Sequence, residues 1–113
     1  MKNRGQLIEI FTSNLANSII HQVLEKAAFD IPEHFEKYGK EVKNSWQIAK
    51  IYREKINPVN RAFPHKDIEE IKNKIINKVN AELNLRILKG YKNISLGLVE
   101  EYAEKALKEL KII

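Results

Sequence analysis

Apolar residues recur along most of this chain at steps of three and four, the spacing that gathers them on one face of a helix, and proline and glycine break the pattern at few places. Four segments follow. The first, about 6–29, lines up Ile8, Phe11, Leu15, Ile19, Val23 and Ala27. Asp30 then offers a side-chain acceptor to the next helix, with Pro32 in the first turn, where its missing N–H costs nothing, and Glu33 three residues on as capping-box partner. The second segment runs through Phe35, Tyr38, Val42, Trp46, Ala49 and Ile56 until Pro58 disfavours an α conformation at Asn57, with Gly39 a weak point inside it.

Asp67 repeats the device, with Glu70 three residues after it, and the third segment carries Ile68, Ile71, Ile75, Val79, Leu83 and Ile87 to a stop at Gly90. The last starts near Ser95, places Glu100 and Glu101 where the helix dipole favours anions, and continues through Val99, Tyr102, Ala103, Ala106, Leu110 and Ile113. No stretch reads as a strand; Leu7–Phe11 alternates briefly but is too short to build a sheet. Short connections between long helices imply antiparallel neighbours, so the expected fold is all-α, an antiparallel four-helix bundle filling residues 1–113 as a single domain. The alternative breaks helix 1 near Ser13 and yields a five-helix orthogonal array.

The 113 residues, 43% hydrophobic and 31% charged, are enough for one core and not for two. With no Cys the chain holds neither a disulfide nor a thiolate metal site. Glu9, Thr12, Ser13 and Asn14 interrupt the first apolar run before signal-peptide length, and no stretch approaches the ~18 apolar residues of a membrane span, so a cytoplasmic location with no membrane partner is expected.

Candidate chemistry is sparse. Glu-x-x-His pairs, which let two residues on one helix converge on a metal, are absent, and His21, His34 and His65 fall in three different segments. No Gly-x-x-x-x-Gly-Lys cradle and no Gly-x-Ser-x-Gly elbow occurs. No catalytic residue, metal or cofactor is therefore assigned. Small all-helical ribonucleases of the HEPN superfamily carry an Arg and a His more widely spaced than Arg61 and His65, which precede a helix here, so no role is carried over.

Charge adds one candidate. Residues 58–94 hold eight basic and four acidic side chains, net +4 of the chain's +5. Arg61, Lys66, Lys74, Lys78 and Lys89 could meet phosphates, with Phe63 and Tyr91 for stacking and His65 beside them. Intrahelical pairs such as Glu70 with Lys74 and Glu82 with Arg86 are the plainer explanation of the same lysines and arginines.

The first helix is the most unusual segment, since no charged residue occurs from Ile10 to Leu24. Its apolar arc covers roughly 220°, twice what one neighbour requires, and the remaining wedge of Asn14, Asn17, Ser18 and His21 is polar but uncharged. Such groups hydrogen-bond across a contact without the desolvation cost of an ion. The expectation is a non-catalytic protein-interaction module, most simply a homodimer, meeting its partner through Asn17, Ile20, His21 and Leu24. Nucleic-acid binding by the 58–94 segment is the alternative.

Overall fold

The computed structural model describes residues 3–28, 31–57 and 63–113. Its helices are α1 (Arg4–Ala27), α2 (Pro32–Ile56), α3 (His65–Leu88) and α4 (Leu98–Glu109), arranged as an all-α four-helix bundle. Asn3 accepts a hydrogen bond from the Gln6 N–H while the Gln6 side chain accepts one from the Asn3 N–H, and this reciprocal capping box opens α1. The helix then passes Ser13 without interruption, so the five-helix alternative is not adopted.

Two expected starts shift. α3 begins at His65, its first turn closed by the Ile68 N–H on the Pro64 carbonyl, so Asp67 lies inside that turn rather than at its cap and pairs with Arg4 of α1. α4 begins at Leu98 rather than near Ser95. For α2, Ile31 occupies the cap position without a side-chain hydrogen bond, and the expected cap Asp30 lies outside the described residues. The stop at Gly90 is as expected: its φ of 98° lets the Tyr91 N–H reach the Arg86 carbonyl and close the end of α3.

The helices alternate in direction. Lys74 reaches Glu9 and Lys78 reaches Ser13, so α1 and α3 run the same way. Arg4, at the start of α1, donates to the Ile56 carbonyl at the end of α2, and Arg53, near that end, donates to Leu110 at the end of α4. Packing is less regular than direction. α1 lies against all three other helices and α3 also against α4, whereas the α2 backbone approaches only α1 among the described residues. Phe11, Leu15, Ile19 and Val23 of α1 meet Ile71, Ile75, Val79 and Leu83 of α3 and Val99, Ala103 and Leu107 of α4 in one core. The wide apolar arc of the first helix is therefore consumed inside its own bundle.

Candidate functional site

The four residues expected at an intermolecular contact sit in or beside this interior. Ile20 and Leu24 are 3% and 2% exposed, so neither is offered to a second molecule. Asn17 donates from Nδ2 to the Ser45 hydroxyl of α2 at 2.7 Å, and Ser18 beside it donates to the Val42 carbonyl at 3.3 Å. The His21 Nδ1 lies 2.8 Å from the Asn17 carbonyl, and because a carbonyl only accepts, that nitrogen carries the proton. Asn17 and Ser18 of the uncharged wedge do hydrogen-bond across a contact, but the partner is α2 of the same chain, while Asn14 and His21 bond to carbonyls of α1 itself. Small residues on α2 make the approach close: Ser45 and Ala49 are buried, and a Cβ at Gly39 would stand 2.8 Å from Glu25 Oε2.

The basic segment is only partly available. Arg61 lies outside the described residues. Phe63 is buried, with the Arg53 guanidinium 4.6 Å from its ring centroid, and offers no face to a base. This is a correction to its expected role, and its cause is that Phe63, two residues before α3, packs inward against Arg53 near the end of α2. Lys74 pairs with Glu9 at 3.1 Å and Glu70 at 3.3 Å, which hold its pKa above the ordinary lysine value. Lys78 donates to Ser13, and Arg86 pairs with Glu82. His65, Lys66 and Lys89 are exposed.

A different place gathers chemistry. The C-terminal end of α1, the N-terminal end of α2 and the 89–97 loop enclose an open groove of about 550 Å³, floored by Leu24, Ala27 and Ala28 and walled by Ile31, Tyr38, Tyr91 and Ile94. The rings of His34 and His21 lie 6.3 and 5.9 Å from that of Tyr38. Burial, then the neighbouring Tyr91, push the Tyr38 hydroxyl up in pKa, with Arg86 opposing, so at neutral pH it remains a neutral donor. Large apolar side chains stand uncovered at this end: Ile31 at 45% exposure, Phe35 at 43%, Tyr91 at 47% and Leu88 at 83%. No three metal-ligating side chains gather among the described residues, and no helix among them is long and apolar enough to cross a membrane.

Sequence reasoning missed one further residue. Arg53 is 2% exposed, and its guanidinium donates to the carbonyls of Asn57 at 2.6 Å, Leu110 at 2.6 Å and Lys111 at 3.2 Å. It is a cation set at the negative ends of α2 and α4 together. Its signal in the sequence was its place on the Ala49, Arg53, Ile56 line, which is an interior line. Comparison of the chain with family models, with curated proteins and with solved structures finds no match.

Proposed function

We propose that this chain is a non-catalytic association module and that its contact surface is the apolar end of the bundle, not the first helix. The observation that carries the reading is a set of large exposed side chains at one end of the bundle: Ile31 and Tyr91 line the groove, and Phe35 in the first turn of α2 and Leu88 in the last of α3 stand exposed at the same end. Single exposed apolar residues need no explanation, but several together at one end of a small domain mark an interaction surface. A second copy is the simplest occupant, since closed two-fold homo-oligomers prevail among soluble assemblies. Nucleic-acid binding through residues 58–94 is the weaker reading, because Lys74 and Arg86 already hold carboxylates and Phe63 is buried.

Light scattering over ~10–100 µM, where micromolar dissociation constants are visible, tests the proposal. The mass should rise with concentration toward the dimer, and Phe35→Glu with Leu88→Glu should return it to the monomer with the helical signal unchanged. A mass that stays monomeric throughout, or a dimer the double variant leaves intact, overturns it.

A further inference from the structure

Because the α2 backbone approaches only that of α1 among the described residues, a trough is left between α2 and α4. Val42 and Trp46 form one wall, Tyr102 and Ala106 the other, and Gln22 of α1 lies at the base, around about 430 Å³. Glu109 also borders a second hollow of about 200 Å³, lined with it by Lys50, Arg53, Glu54 and Lys111. Both aromatics are half-buried, held by their walls yet still lining open space.

The charge of this trough is lopsided. Lys43 and Lys105 line the trough and Lys50 and Lys111 the adjoining hollow, and none of the four enters an ion pair among the described residues. With Arg53 there are five cations against Glu54 and Glu109, five minus two, a net of +3. On the α3 surface Lys74 and Arg86 already hold carboxylates and Lys78 donates to Ser13.

We propose that this trough binds single-stranded nucleic acid, the bases stacking on Trp46 and Tyr102 and the phosphates following the lysines. Two features meet here that such binding requires: flat aromatic faces on which any base can stack, and a cationic track beside them. A duplex keeps its bases stacked on one another and offers none to the trough. A single nucleotide would use only part of it, since Lys43 and Lys50, seven residues apart on α2, stand about 10 Å apart along the axis. Lysine acts toward phosphate as a point charge rather than a fork, so the site tracks a backbone and selects little sequence. Gln22 and Gln47 supply the amide groups in the lining.

Trp46 is the chain's only tryptophan, so its emission reports the site directly. Titration of the full chain with dodecamers of oligo(U) and oligo(dT) at 50 mM salt should quench that emission to saturation. Log affinity should fall against log salt with a slope of about −0.7 for each phosphate engaged. Lys43→Gln with Lys105→Gln, both at exposed positions, should weaken binding about tenfold, read by the anisotropy of a labelled oligomer. Trp46→Ala should weaken it similarly and Trp46→Phe should restore it. Lys74→Gln with Lys78→Gln should leave it unchanged. Absence of binding at 100 µM protein overturns the proposal. So does a loss from the Lys74 and Lys78 pair equal to that from Lys43 and Lys105, or equal binding of a duplex or of polyglutamate, which would mark a general polyanion surface, or equal binding of uridine monophosphate, which would mark a nucleotide pocket.

Discussion

Replacing Arg53 by Met keeps much of the buried stem and removes the guanidinium. Three carbonyls lose a donor and Phe63 loses the cation over its ring. The consequences differ among them. The Asn57 and Lys111 carbonyls lie in partly buried bonds where water can replace the lost donor, whereas the bond to Leu110 is fully buried, and an acceptor left dry there costs about 1–3 kcal/mol. The cation–aromatic contact adds about 1 kcal/mol. Against this stands relief from burying the charge, whose desolvation already lowers the Arg53 pKa from its ordinary value. Removing one member of a buried charged network nonetheless destabilises by about 3–5 kcal/mol where its partners remain. The partners here are neutral carbonyls, so we expect a loss of about 2–4 kcal/mol for Arg53→Met. Arg53→Lys, which keeps a charge but not the fork, should lose about half of that. Urea denaturation followed by far-UV dichroism reads both, with the slope against urea unchanged. An Arg53→Met variant within about 0.5 kcal/mol of the parent, or more stable than it, would refute the reasoning, for the carbonyls at the two helix ends would then need no protein donor.

Gly39→Ala should raise stability by about 0.5 kcal/mol in the same assay, because alanine is the better helix former and the atom it meets, Glu25 Oε2, is the far end of a flexible side chain; a loss above about 1 kcal/mol would mean that the α1 and α2 backbones must part. Ile20→Glu with Leu24→Glu should abolish the helical signal rather than change the oligomeric state, since both side chains are buried; a folded double variant would put the interior elsewhere. Lys74→Gln should change stability at pH 7 by no more than about 0.5 kcal/mol, since the side chain is 42% exposed. The Lys74 pKa is raised in the fold, so whatever the pair contributes is present in full below the unfolded lysine value of about 10.4 and fades as pH rises through the elevated one. Parent and variant should therefore converge at high pH, and a gap that widens there counts against the assignment.

The four helices were legible because each carries a line of apolar residues with few interruptions, and Ile71, Ile75, Val79 and Leu83 are all buried as the line on α3 implies. The wedge on the first helix was legible as chemistry but not as geometry. Periodicity says that Asn17 and Ser18 must meet something polar at close range, yet it cannot say whether the partner is a neighbouring helix or a neighbouring molecule. Ser45 and the Val42 carbonyl answer it only once α2 is in place. Asp67 was misread for a related reason. An acid three residues before Glu70 has the local look of a cap, and only the long-range arrival of Arg4 draws it into an ion pair instead. The trough and the apolar groove were invisible in the sequence because each is made by residues from three separate segments.

The one-sided seating of α2 divides the bundle into unequal cooperative units. α1, α3 and α4 share a continuous interior to which α2 adds only Ala49 and Ile56 as buried apolar side chains, so none of the three can open without exposing the side chains of the other two. α2 is held along a single seam, with Arg53 as its tie to the far end of the chain. Its release uncovers less than global unfolding does, and it leaves a three-helix remainder still packed on itself. Backbone amides of α2 should accordingly trade hydrogen with solvent through a partial opening, at a lower free energy than those of α1 and α3, which wait for the whole chain to come apart.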